Sequence, residues 1–337
     1  MPFWFYKIQF MALVAPETRE YKTNVEILLD VEKGNCVLEG LVAAAHSPFH
    51  ANGSLNPDGV DAQAELLAAS GIRLVFITGS TGESMSLCQA ERLDLYRAWA
   101  EAAPMHGLEV VAHVGTNCVG DSRELASSAA RLGFRAIAAL SPCYFRPSGI
   151  PALVETCREI ADAAGNLPFY YYDIPSLTGV HLSSEEFLRA GAARIPNLAG
   201  VKFTNPDREL YRKCREVAGG RFDIAWGIDE QLIDGLELGA AGAVGSTYNF
   251  AAPLYQELIA SFRAGDLDHA RHLQSQSVWL VERLARIGYF GAAKALMGWL
   301  GAPVGGARLP LDNPGRRELD DLRRDLRGFR WLSRELG

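Results

Sequence analysis

Of six lysines in 337 residues, one interrupts an apolar run. Lys202 lies within Leu198-Ala199-Gly200-Val201-Lys202-Phe203-Thr204, whereas Lys7, Lys22 and Lys33 fall near the N-terminus and Lys213 and Lys294 in helical stretches. A buried ammonium is costly and tends to shed its proton. A neutral amine adds to a ketone to give an imine. The local sequence is equally open to a lysine in a buried ion pair, or one whose stem reaches the surface. Tyr172 closes another run, Phe169-Tyr170-Tyr171-Tyr172-Asp173-Ile174. Strand residues alternate sides, so Tyr170 and Tyr172 share one face and Tyr171 takes the other. A phenol beside an imine carbon moves protons; core packing is its other available role. Gly79-Ser80-Thr81-Gly82-Glu83 follows a third run. Its small residues let N–H groups and the hydroxyls of Ser80 and Thr81 converge on a carboxylate or phosphate. Gly227-Ile228-Asp229-Glu230 and Gly245-Ser246-Thr247 end two more runs. Asp229 and Glu230 suit the hydroxyls of a sugar, or the cap of the next helix.

Eight β-rich runs carry these residues: Leu41–Phe49, Arg73–Thr78, Glu109–Val114, Ala136–Pro142, Pro168–Ile174, Ala199–Thr204, Asp223–Gly227 and Ala243–Thr247. Most are continuously apolar, as strands covered on both faces require. Helical patterns lie between them, at Glu91–Ala103, Ser122–Leu132, Pro151–Ala164, Ser184–Ala192 and Gln231–Leu238. Ser183-Ser184-Glu185-Glu186 has a hydroxyl cap and an acidic first turn. The alternation predicts an α/β fold, a (β/α)₈ barrel, with chemistry at the C-terminal strand ends. A doubly wound sheet calls for a Gly-rich loop after the first strand, and His46-Ser47-Pro48-Phe49-His50 is not one. Beyond the eighth run the pattern is helical: Pro253–Arg263, Leu267–Arg286, Gly291–Leu300 and Arg316–Leu336. The expected division is a leader over residues 1–38, a barrel over 39–250 and a helical region over 251–337 packed on the barrel.

A formal charge of -7 without basic clusters argues against nucleic-acid binding. The six cysteines form no CxxC pair, so they read as free thiols in a reducing compartment. His269 and His272 lack a cysteine partner, and no metal is expected. The apolar N-terminal stretch resembles a weak signal peptide, but Lys7 and Gln9 interrupt it. No spanning helix is expected, and the expected location is the cytoplasm.

Taken together and in this order, Gly79–Glu83, Tyr172-Asp173-Ile174-Pro175 and Gly200-Val201-Lys202 resemble the pyruvate-dependent class I aldolase superfamily of N-acetylneuraminate lyase and dihydrodipicolinate synthase. The resemblance spans about Gly40 to Leu311. Leu177, where the synthases usually place a carboxylate-binding Arg, and Gly227–Leu232 and Gly242–Asn249 are more similar to the lyase branch. Arg308-Leu309-Pro310-Leu311 is more weakly so. Asp173 stands where Asn or His is commoner, and Cys143 where an aromatic is usual.

The resemblance implies cleavage of N-acetylneuraminate to pyruvate and N-acetylmannosamine through a Schiff base on Lys202. Tyr172, Ser80 and Tyr144 would move the proton, and Ser80 and Thr81 would bind the carboxylate. Thr204, Gly227, Asp229, Glu230 and Ser246 would orient the sugar, with Phe290 leaning over the site. It implies a homotetramer whose partners are pyruvate and a 2-keto sugar acid, with no cofactor. Two alternatives stay open. One is another aldolase, dehydratase or synthase of the superfamily, the other a barrel that binds a keto acid without turnover.

Overall fold

Eight short strands close into a parallel barrel in chain order: β1 (Gly40–Ala44), β2 (Leu74–Ile77), β3 (Glu109–His113), β4 (Ala136–Leu140), β5 (Phe169–Asp173), β6 (Leu198–Phe203), β7 (Asp223–Trp226) and β8 (Gly242–Gly245). The computed structural model describes residues 38–329 and 331–332. β1 pairs with β8 as well as with β2, which closes the ring. The helices are α1 (Gly59–Ala69), α2 (Gln89–Met105), α3 (Val119–Arg131), α4 (Ile150–Asp162), α5 (Pro175–Thr178), α6 (Ser184–Gly191), α7 (Arg208–Glu216), α8 (Leu232–Glu237), α9 (Tyr248–Arg263), α10 (Leu267–Ala285), α11 (Tyr289–Trp299) and α12 (Arg316–Leu326).

Strand alternation splits the core in two. Val42, Ala44, Phe76, Val111, Ala138 and Tyr172 pack together inside the barrel. Ala43, Val75, Ala112, Ile137, Tyr171 and Val201 face outward onto helix residues such as Leu67, Leu125, Leu153 and Phe187. Both faces are therefore covered, which is why the runs are continuously apolar. The three tyrosines divide as alternation requires: Tyr170 and Tyr172 point inward, while Tyr171 packs on Phe187 with ring centres 4.6 Å apart.

Ser183 caps α6, its hydroxyl accepting from the Glu186 N–H. The first strand stops at Ala44 rather than Phe49, which pairs instead with Leu55 in an isolated antiparallel bridge. Helix α1 fills an interval to which the sequence assigned no element, and α7 is the helical stretch expected around Lys213. The last helix ends at Leu326 rather than Leu336, with Gly328 just beyond it; residues 330 and 333–336 of that expected helix lie outside the described residues. So does the expected leader, apart from Leu38. Among the described residues, no helix is long and apolar enough to cross a membrane. Leu280, Leu284, Leu296, Leu322 and Leu326 of the C-terminal helices share the outer core with the barrel.

Candidate active site

Lys202 and Tyr172 are direct partners in the β5–β6 register. Both face into the barrel near its C-terminal end, where Lys202 is 4% exposed. The Lys202 ammonium lies 3.6 Å from the Tyr172 ring centre and 5.3 Å from that of Phe76. Its recorded hydrogen bond is to Thr204 Oγ1, at 3.2 Å. Among the described residues, no carboxylate stands within ion-pair distance of it. The buried-ion-pair reading of Lys202 is thereby set aside.

Tyr172 is held from two sides. The Phe76 ring meets it edge-on at 5.9 Å and the His113 ring at 5.8 Å. His113 is fully buried at the end of β3, with Nδ1 3.0 Å from the Thr78 carbonyl. Its Nε2 accepts from the Leu140 N–H at 3.3 Å. One nitrogen facing an acceptor and the other a donor fixes a neutral Nδ1–H tautomer. Burial, then the Arg92 guanidinium, holds His113 well below its ordinary value.

Ser80 Oγ stands 3.4 Å from Tyr172 Oη. It belongs to the turn after β2, closed by Glu83 N–H to Ser80 carbonyl and Ser84 N–H to Gly79 carbonyl bonds. Ser80 and Thr81 are half-buried on the mouth side. Thr78 and Glu83, entering and leaving the turn, both have positive φ, 51° and 54°. Ser47 Oγ donates to the Gly82 carbonyl at 2.6 Å.

Across the mouth, Gly227 adjoins Thr204: a Cβ there would fall 2.1 Å from Thr204 Oγ1, so only glycine lets β6 and β7 end side by side. A Cβ at Gly245 would likewise strike Asp229 Oδ1. Asp229 gives one of its carboxylate oxygens to its own chain. It is 5% exposed, and its Oδ2 accepts from the Thr247 N–H at 2.8 Å and hydroxyl at 2.6 Å. Tyr255 and Ser277 extend this chain of hydroxyls into α9 and α10. Burial raises the Asp229 carboxyl, against the Thr247 bonds. Burial and Asp229 raise its neighbour Glu230, which remains half-buried. Ser246 Oγ is 2.6 Å from Tyr289 Oη of α11. Phe290 is half-buried and meets Tyr289 edge-on at 5.9 Å, so the adjacent Tyr289 makes the recorded contact to Ser246.

Tyr144 is not part of this assembly within its own chain. It is 80% exposed, its ring edge-on to Phe145 and its N–H donated to Asn117. The loop carries it outward because Asn117 holds both the Cys143 and Tyr144 N–H groups at the surface. Asp173, the departure beside Tyr172, faces outward: its Oδ2 accepts from Ser184 at 2.8 Å and Asn205 at 3.1 Å. Burial raises this carboxyl. His113, Thr78, Glu83 and Lys294 were not legible as site residues. Only the position of Thr78 and Glu83 around the Gly79–Gly82 turn hinted at them. Among the described residues, no group of three or more His, Cys, Asp or Glu is arranged to hold a metal.

An inward lysine, a tyrosine in register with it and a small-residue turn meet at the mouth of a (β/α)₈ barrel. The chain belongs to the dihydrodipicolinate synthetase family, whose model matches residues 37–328. It is 35% identical to N-acetylneuraminate lyase of Rattus norvegicus over 300 residues, 88% of this chain and 94% of that one. The structure resembles N-acetylneuraminate lyase of Proteus mirabilis with TM-score 0.84 and 37% identity, covering 88% and 99% of the two chains. The native enzyme of Aliivibrio salmonicida matches with TM-score 0.85 and 35% identity, covering 88% and 99%.

Proposed function

We propose that this chain is a Schiff-base aldolase that cleaves N-acetylneuraminate to pyruvate and N-acetylmannosamine. The observation that carries the reading is the buried Lys202 amine, unpaired with any carboxylate among the described residues and in register with Tyr172. The named lyases that the chain resembles in sequence and structure support the choice of substrate.

The lyase resemblance, joined to the placement of these residues, supports the following scheme. N–H groups and hydroxyls of Ser80 and Thr81 hold the substrate carboxylate. The Lys202 amine adds to the C2 ketone and, with loss of water, forms an iminium. The C3–C4 electron pair flows into that cation as the C4 hydroxyl proton leaves. Tyr172, 3.4 Å from Ser80, takes up this proton as it passes its own phenolic proton to the substrate carboxylate. The amino sugar departs, the enamine gains a proton at C3, and water returns the amine and frees pyruvate. Thr204, Gly227, Glu230 and Ser246 orient the polyol. Asp229 acts by holding the Gly227–Glu230 segment onto Thr247.

The reading extends to a cytoplasmic homotetramer. Exposed Tyr144, Phe145 and Leu177 offer apolar surface for a second copy to cover. Arg146 lies against Gly179, so the two loops that carry them adjoin. Light scattering of the purified chain tests the assembly.

Borohydride reduction with pyruvate tests the chemistry: a stable adduct on Lys202 is expected, and an adduct elsewhere would falsify the scheme. Pyruvate release from N-acetylneuraminate, 2-keto-3-deoxygluconate and 4-hydroxy-2-oxoglutarate tests the substrate. N-acetylneuraminate should give the highest kcat/KM.

A further inference from the structure

The scheme above gives no part to a second buried lysine. Lys294 lies within α11 and is 1% exposed. Its ammonium stands 2.5 Å from Glu83 Oε1, with both side chains fully buried. Glu83 ends the turn that carries Ser80 and Thr81, in the left-handed region that non-glycine residues avoid. Thr78 enters the same turn in the same region, tethered by its hydroxyl to the His113 carbonyl at 2.9 Å. Such conformations persist only where surrounding contacts impose them. At the Glu83 end those contacts are the Lys294 ammonium and the Arg308 N–H, 2.8 Å from Glu83 Oε2.

We propose that Lys294 is a positioning residue for the keto-acid carboxylate: its ammonium holds Glu83, and through it the strained turn, in the shape that aims Ser80 and Thr81 at the substrate. The proposal rests on the reading of Ser80 and Thr81 as the carboxylate site. Lys294 touches neither the substrate nor the reacting atoms.

The groups around the ammonium come from three segments. Glu83 belongs to the turn. The Phe49 ring centre lies 4.0 Å away, and His46 precedes it in the loop after β1. The Gly306 carbonyl accepts at 3.0 Å, and Arg308 follows in the same tail loop. His46 is lowered to about 3 by burial and then by Lys294, so it brings no charge at neutral pH. Burial lowers Lys294 to about 8, opposed by Glu83 and reinforced by Arg308. The ammonium is therefore present below that value and lost as pH rises through it. Carboxylate affinity should fall over the same window.

The test is the half-saturation of pyruvate in borohydride trapping and in turnover, from pH 6.5 to 9. Lys294→Met should raise half-saturation about tenfold at pH 7 with a much smaller change in kcat. The wild type should weaken between pH 7 and 9, and Lys294→Met should lack that step. Glu83→Gln should reproduce the defect, and the double variant should be no worse than either single one. If Lys294→Met does not fold, the wild-type profile and Glu83→Gln decide. A fall in kcat with unchanged half-saturation, or an alkaline step that survives in Lys294→Met, overturns the proposal. Ser80→Ala and Thr81→Val check its foundation separately. If both leave half-saturation unchanged, the carboxylate reading fails; if they raise it and Lys294→Met does not, only the positioning role fails.

Discussion

Two lysines are buried near the mouth of this barrel, and they differ in whether a carboxylate stands beside the amine. Lys294 faces a carboxylate at 2.5 Å. Lys202 faces a hydroxyl at 3.2 Å and two aromatic rings. A paired ammonium is a structural tie, because removing either partner strands a buried charge. An amine bounded by a hydroxyl and ring faces is free to react with an incoming carbonyl. Burial alone does not separate a tie from a nucleophile; the partner does.

The sharpest way to break this comparison is to delete each amine. Lys202→Met should lower kcat on the order of 10⁴-fold or more, since the covalent route is lost, and mass spectrometry after borohydride should find no adduct. Lys294→Met should still form the adduct on Lys202 at high pyruvate. Equal loss in both variants would erase the distinction.

Next in size is Tyr172→Phe. Removing a proton-transfer group should cost about 10²- to 10⁴-fold in kcat, while imine trapping persists. Full activity would return Tyr172 to a packing role. The tenfold change expected at the Lys294–Glu83 pair comes third, and appears as half-saturation rather than rate.

Of similar size is Glu230→Gln, which probes the opposite rim. Loss of a charge-assisted bond, about 1.5 kcal/mol or more, should raise KM for the sugar acid roughly tenfold and leave pyruvate half-saturation unchanged. Burial and Asp229 raise the Glu230 carboxyl. Wild-type KM should therefore climb as pH falls through that raised value, and the variant's profile should be flatter. A parallel rise in pyruvate half-saturation would place Glu230 at the wrong end of the site.

The last prediction concerns stability. His46 ionises near 3 when folded against an ordinary 6.5, so below pH 6.5 the unfolded chain binds the extra proton. The stability its neutral ring preserves is complete above 6.5. It is lost at up to about 1.4 kcal/mol per pH unit as pH falls from there toward 3. Denaturant melts of His46→Leu should show a shallower acid decline. An unchanged slope would move the titration elsewhere.

The sequence alone determined the barrel, because burial on both strand faces writes itself as eight β-rich runs, most of them continuously apolar. It also determined the inward side of Tyr172, through strand alternation, and singled out Lys202 as a charge where neighbours are apolar. Ser80 and Thr81 were legible from small residues directly after a strand. Only the tertiary structure decided what each buried group faces. It turned Asp229 onto Thr247, put Tyr289 rather than Phe290 on Ser246, and left Tyr144 at the surface. It also joined Glu83 to Lys294, 211 positions further along the chain. Periodicity reports which side of an element a residue occupies. Pairing between distant segments depends on how the elements pack, and no local pattern encodes that.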